Sequence, residues 1–337
     1  MKNRPITYSK NIFIPVTNVC RNKCAYCGFR RPAEHQDAFL MTEEEAAAVL
    51  KRGADAGCTE AMFAFGESPE QNPEFNKRFG KQLKDAGFET VIEYTAHLCR
   101  LALDFGLLPH VNGGVLSFEE LKMLAPLNAS MGLMLETTAD VQAHKDCPGK
   151  VPAARLEMIE NAGKLKMPFT TGLLIGIGET RNDWVESLQV IQKLHEKYGH
   201  IQEIILQNYT PNSGQENIIR DLKPPSKEDM IDLIHLTKNI LTPDISIQVA
   251  PNLMPPLELI QYGVTDLGGI SPVTIDFINP ESDWPEIEEL KNLLSSKGYE
   301  FKERLPVHPH YVKKGWYGAE TEARIKELAD VNGYRKY

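Results

Sequence analysis

Asn11-Ile-Phe-Ile-Pro15-Val-Thr-Asn-Val-Cys20-Arg-Asn-Lys-Cys24-Ala-Tyr26-Cys27 is the stretch on which the fold turns. Its first half, Asn11 to Thr17, is rich in β-branched and aromatic residues and reads as a buried strand. Its second half places three cysteines within eight residues, directly after that strand. A strand that delivers reactive side chains at its C-terminal end is the building unit of an α/β barrel, where such ends converge on one cavity.

Outward from this stretch the same unit recurs: a short apolar run, a turn signal, then a segment with apolar residues at helical spacing. Eight strands are expected, over Asn11–Thr17, Glu60–Phe65, Leu108–Asn112, Ala129–Leu135, Thr170–Gly176, Gln202–Asn208, Ser246–Val249 and Thr265–Gly269. Helix starts carry a hydroxyl followed three residues later by an acid: Thr42/Glu45, Ser117/Glu120, Thr180/Asp183 and Ser226/Asp229. This pairing satisfies two of the free N–H groups at a helix N-terminus. Phe88–Phe105 keeps a helical apolar period, so two helices precede the third strand. Eight such units favour a (βα)8 TIM-type barrel, closed or partly open, over a doubly wound sheet. We expect the barrel to occupy residues 1–278. Residues 279–337, with Pro280, Pro285, Pro306, Pro309 and mixed charge, form a C-terminal extension packed on it.

The composition agrees. The chain has 337 residues, 42% hydrophobic and 25% charged, which suits a globular protein and excludes disorder, collagen and coiled coil. Lys plus Arg number 37 against 46 Asp plus Glu, a net charge of −9, the wrong sign for holding nucleic acid or an anionic membrane. No apolar run reaches the ~18 residues of a membrane span, and Met1–Lys10 lacks the apolar stretch of a signal peptide. The expected location is cytoplasmic. Six cysteines in a chain of this length make no disulfide framework.

The three clustered cysteines have the spacing C-x3-C-x2-C. Three thiolates so arranged can hold three irons of a 4Fe-4S cluster and leave the fourth iron open to an external ligand. The alternative is a structural zinc knuckle with His35 as fourth ligand, although zinc sites usually add a second cysteine pair. Cys58, Cys99 and Cys147 stand apart in sequence and read as small buried hydrophobes.

With Tyr26 before its last cysteine, this motif resembles that of the radical S-adenosylmethionine (SAM) superfamily. Further matches follow in order. Phe65-Gly66-Glu67 ends the second strand where that family has Gly-Gly-Glu against the methionyl amino group, with Phe65 replacing the first glycine. Glu136 ends the fourth strand, where relatives place a polar residue against the ribose. Arg155 lies early in the following helix, in reach of a carboxylate. Gly172 to Glu179 resembles the fifth-strand motif near adenine, with Gly176 inside it. The resemblance therefore implies a 4Fe-4S cluster on Cys20, Cys24 and Cys27 and SAM on Tyr26, Gly66, Glu67, Glu136, Arg155 and Gly176. SAM cleavage by the reduced cluster then yields a 5′-deoxyadenosyl radical that takes hydrogen from a small-molecule substrate in the same cavity.

Within the superfamily the chain is similar to the deazaflavin synthase family, in its archaeal-type first subunit. Segments that carry this likeness include Thr7–Pro15, Tyr26–Phe29, Met62–Pro69, Asn128–Glu136, Pro168–Thr180, Gln207–Asn212 and Ala250–Asn252. The likeness implies a carbon–nitrogen lyase of coenzyme F(420) biosynthesis. Its substrate is the adduct of a 4-hydroxybenzyl group with a ribitylated dihydrouracil, closed to the deazaflavin with loss of ammonia. It further implies a partner subunit that performs the tyrosine coupling and a low-potential electron donor. The alternatives are that coupling subunit, a menaquinone-pathway relative or, outside enzymes, a metal-binding module. Tyr26 and Gly28-Phe29 favour the first subunit. Asn112, Gln207, Asn208, Asn212 and Asn252 are candidates for the uracil ring and ribityl chain, because amides at strand ends supply both donors and acceptors. His97 and His110 read as structural, and no residue is assigned as general base.

Overall fold

The computed structural model describes residues 4–211 and 222–336. Nine strands form one sheet: β1 (Ile6–Pro15), β2 (Glu60–Ala64), β3 (Leu108–Asn112), β4 (Ser130–Gly132), β5 (Phe169–Ile175), β6 (Ile201–Asn208), β7 (Ser246–Gln248), β8 (Asp266–Ile270) and β9 (Phe301–Arg304). β1 to β8 follow one another around the sheet, every pairing is parallel, and β1 pairs with both β8 and β2. The first eight strands thus close into a barrel.

Alternation along each strand sends one set of side chains into the barrel and the other against the surrounding helices. The outer set meets the apolar faces of those helices. Met230, Leu233 and Ile234 of the helix Lys227–Ile240 are buried, for example, while Asp232 on the opposite face pairs with Arg181. All four expected hydroxyl–acid pairs form capping boxes, at Thr42, Ser117, Thr180 and Ser226. The helices Pro73–Asp85 and Val91–Asp104 both precede β3. No helix among the described residues is long and apolar enough to cross a membrane.

Three features differ from the sequence expectation. β4 is confined to Ser130–Gly132, so Glu136 stands four residues past the strand instead of at its end and meets β5 through an isolated bridge to Leu173. β1 begins at Ile6, not Asn11. Its early residues look polar because Thr7 and Ser9 donate hydrogen bonds to the buried carboxylates of Asp266 and Glu60. The segment after residue 278 also contributes a strand, β9, whose residues Phe301–Arg304 pair with Ile6–Ser9. β2 takes Asn11–Pro15 on the later half of β1, so β9 lies beside the earlier half. Leu305, Val307, Tyr311, Ile325 and Leu328 continue from β9 into a small apolar cluster with Leu108 and Ala129.

Candidate functional site

A cavity of about 350 Å³ opens inside the barrel and is lined by Cys20, Cys24 and Cys27 at one end and Arg304 of β9 at the other. The cysteines lie on the loop after β1. Gly66 holds that loop close: its N–H donates to the Thr17 carbonyl at 2.9 Å, and a Cβ there would collide with the Val19 carbonyl. Phe65, which departs from the family's glycine, packs its ring where a side chain on Gly113 would otherwise stand. The substitution is thus matched by a glycine on the facing loop.

Backbone amides converge on the sulfurs. Glu67 N–H and Asn22 N–H donate to Cys20 Sγ at 3.2 and 3.4 Å, and Arg30 N–H donates to Cys27 Sγ at 3.4 Å. Such bonds favour thiolates and tune a metal bound to them. Burial pushes the Cys20 thiol up to about 12 and raises Cys27 as well. Cys24 is drawn down to about 7, chiefly by a hydrogen bond with the Cys147 thiol that outweighs its burial, with help from the Lys150 charge.

The donor set discriminates between metals. Thiolates around one zinc at ~2.3 Å lie within ~4.6 Å of one another. Among the described residues, the three sulfurs are not gathered within 4.8 Å. His35, the fourth ligand of the zinc alternative, is 41% exposed, accepts from Asp37 N–H and does not line the cavity. Three spaced sulfurs, two of them supported by backbone amides, fit the corners of an iron–sulfur cubane better than a single ion.

Beside the cysteines lies a buried charge group. Glu136 has φ +68°, a left-handed conformation uncommon for a residue with a side chain, and is 7% exposed. Lys150 forms an ion pair with it, and Arg155 Nη2 stands 3.7 Å from its Oε1. These two charges hold the Glu136 carboxyl below the usual carboxylate range despite burial. Arg155 is no solvated helix charge: it is 3% exposed and donates to the carbonyls of Met134 at 2.5 Å and Gly149 at 2.7 Å. Tyr26 O–H lies 3.0 Å from His144 Nε2, and Lys150 Nζ sits 5.7 Å from the Tyr26 ring centroid. The Glu67 carboxylate is engaged by Arg21 at 2.6 Å and Val115 N–H at 2.8 Å, and its carbonyl accepts from Arg21 N–H at 3.0 Å, at the cavity wall.

Of the other expected residues, Asn112, Gln207 and Asn208 line the cavity. Asn252 does not; it donates to Asp276, which does. Gly176, with φ +99°, shapes the turn after β5 and lies off the lining, where Leu174 stands instead. Asn212 falls outside the described residues. Cys58 and Cys99 are buried away from the cavity, as expected.

Sequence reading missed Lys150 and the proximity of Cys147 to Cys24, because both lie in a polar loop over a hundred residues from the motif. It also missed the far end of the cavity. There Arg304 forks onto Asp266 (2.6 and 2.8 Å) and reaches Glu203 at 3.0 Å, all three at most 4% exposed. Glu203, Asp266 and His308 approach within 4.8 Å, but the cation in their midst is this guanidinium.

The model of the radical SAM superfamily matches residues 14–191. A 7,8-didemethyl-8-hydroxy-5-deazariboflavin synthase from Methanosarcina mazei is 55% identical over 331 residues, 98% of this chain and 96% of that protein. The synthase of the same name from Archaeoglobus fulgidus is 43% identical over 98% of this chain and 99% of its own. Among solved structures, the FeFe-hydrogenase maturase HydG from Carboxydothermus hydrogenoformans superposes with a TM-score of 0.72 at 17% identity, covering 97% of this chain and 79% of that one. Methylornithine synthase (PylB) gives 0.65 at 18% identity, covering 88% and 83%. These two likenesses concern the fold alone.

Proposed function

Because this chain belongs to the radical SAM superfamily and, within it, to the 7,8-didemethyl-8-hydroxy-5-deazariboflavin synthases, we propose that it closes the hydroxybenzyl–ribityldihydrouracil adduct to the deazaflavin with release of ammonia. This is the second half of making the coenzyme F(420) chromophore. A partner subunit supplies the adduct by coupling tyrosine, and a low-potential donor supplies electrons.

Membership implies SAM and an iron–sulfur cluster. In our reading Cys20, Cys24 and Cys27 hold the cluster, and the amides that point at Cys20 and Cys27 offset its charge. When bound, cluster and SAM together supply a carbon-centred radical that abstracts hydrogen. The chain's own residues bind and orient. The backbone at Gly66 and Glu67 receives the methionyl amino group, and Lys150 with Arg155 takes its carboxylate. Glu136 faces the ribose, while Tyr26 and Leu174 flank the adenine. The barrel wall of Phe13, Met62, Met134 and Ile205 keeps water from the reacting atoms. We keep residues 1–278 as the catalytic core and 279–337 as its extension, and the location as cytoplasmic.

The observation that carries this reading is the meeting, in one barrel cavity, of three cysteine sulfurs, two of them supported by backbone amides, and a lining that leaves room for a second ligand beneath them. The test is anaerobic incubation with SAM, a reductant and the adduct, read by mass and fluorescence of the deazaflavin. Free tyrosine with 5-amino-6-ribitylaminouracil should give no adduct. If this chain alone forms the adduct from tyrosine, it performs the coupling half and the assignment falls.

A further inference from the structure

The lining changes character with depth. Along β1 the inward series runs Asn11 then Phe13; along β2, Glu60, Met62, Ala64; along β6, Glu203, Ile205, Gln207. Each passes from a polar residue (Asn11, Glu60, Glu203) to an apolar one two positions on (Phe13, Met62, Ile205), and β6 turns polar again at Gln207, nearer the mouth. Because the cysteines sit past the late ends, the cavity has a polar floor, an apolar waist and the metal-binding mouth. Arg304 enters the floor from β9.

The floor is rich in hydrogen-bond acceptors. Asn11 is 1% exposed, and its Oδ1 has no partner among the described residues. Ser130 Oγ donates its single proton to the Pro306 carbonyl at 2.8 Å and so accepts from His110 Nδ1, also at 2.8 Å. Burial keeps this imidazole neutral, lowering it to about 3, so Nε2 carries a lone pair at the cavity wall. Glu60 accepts from Ser9 Oγ at 2.5 Å, through Oε2. Glu203 shares its carboxylate with Arg304, and Gln248, turned about its amide, donates to it at 3.1 Å. Three carboxylates (Glu60, Glu203, Asp266) face a single guanidinium, which Asp266 and Glu203 already engage. Such a floor suits a neutral ligand that brings several O–H donors and repels an anion.

We infer that the floor formed by Asn11, Glu60, His110, Glu203, Gln248 and Arg304 is a polyol subsite that seats the ribityl chain of the substrate, hydroxyls down, and sets its ring system at the apolar waist. The inference rests on the proposed function above. It makes these residues determinants of specificity for an unphosphorylated chain and leaves hydrogen abstraction to the mouth.

The test is equilibrium binding to the cluster-loaded, unreduced protein with SAM present. The probes are the adduct, an analogue with an n-pentyl group in place of ribityl, and the adduct phosphorylated at the chain terminus. Wild type should favour the ribityl adduct over both others by tenfold or more. Glu60→Gln and, separately, Asn11→Leu should each erode the preference over the pentyl analogue while leaving affinity for the pentyl analogue within twofold, a readout that a misfolded variant fails. If wild type binds ribityl and pentyl forms alike, or prefers the phosphorylated form, the subsite is overturned and the proposed function stands. If it binds none of the three, both fall.

Discussion

Replacing Arg304 by Met asks how far β9 is part of the barrel. The guanidinium makes three short bonds to Asp266 and Glu203 and one to the Leu305 carbonyl at 3.1 Å, all within the interior. Removing one partner of a buried ion group leaves uncompensated charge and typically costs ~3–5 kcal/mol. At ~2.1 cal/mol/K per residue, unfolding 337 residues carries ~0.7 kcal/mol/K. The expected loss is therefore about 4–7 °C in Tm at pH 8. The loss should shrink toward pH 5. Burial already raises Asp266, and without its cation it rises further. The native variant then holds a proton that the unfolded chain has released, so stability falls as pH climbs through that window. Adding Asp266→Asn should recover part of the loss. Differential scanning calorimetry of the cluster-free protein at fixed scan rate reads all three. A variant with the wild-type Tm at pH 8, or a deficit equal at pH 5 and pH 8, would refute the argument.

Glu60, pushed from 4.5 to about 7 chiefly by burial, is protonated in the native state where the unfolded chain is ionised. Stability therefore drops by about 3 kcal/mol between pH 4.5 and 8 on its account, at 1.36 kcal/mol per pH unit. Glu60→Gln should gain on wild type by that amount over the same range, in denaturant unfolding at several pH values; a constant gap would contradict the assignment. Gly66→Ala drives a methyl into the Val19 carbonyl and against Cys20 Cβ at 2.8 Å. Overpacking of ~1–3 kcal/mol should then shift the loop and lower bound iron, so full iron at wild-type Tm would rule out this role for the glycine. Lys150→Gln should weaken SAM binding by about tenfold or more, the ~1.5–3 kcal/mol of a charge-assisted bond, with the cluster intact. Unchanged affinity in equilibrium dialysis would confine Lys150 to holding Glu136.

The alternation of apolar runs with capped helical segments made the barrel legible, since the strands from β2 to β8 are largely buried and each keeps apolar residues beside the polar ones it turns inward. What escaped was polar residues facing inward. Thr7 and Ser9 disguise the start of β1, and Glu303-Arg304 disguises β9 as a solvated charge run although both are under 5% exposed. Periodicity measures water avoidance, and a buried ion network has none to show. In the site, the cysteines were legible because their spacing is local. Lys150 and Cys147 were not, because only closure of the barrel brings their loop to the motif. Gly176 lies off the cavity lining because its positive φ serves the turn after β5, where Lys223 N–H meets its carbonyl at 3.1 Å.

The claim on which the rest depends is that Cys20, Cys24 and Cys27 hold a cluster with one iron open to SAM. Anaerobic reconstitution followed by metal and sulfide analysis, with electron paramagnetic resonance of the reduced protein before and after SAM, tests it most directly. About four iron and four sulfide per chain are expected, with a spectrum that changes on adding SAM. Alanine at any of the three positions should abolish the cluster, while alanine at Cys58 or Cys99 should not. A colourless wild type carrying one zinc per chain, or a cluster whose spectrum ignores SAM, would contradict the account.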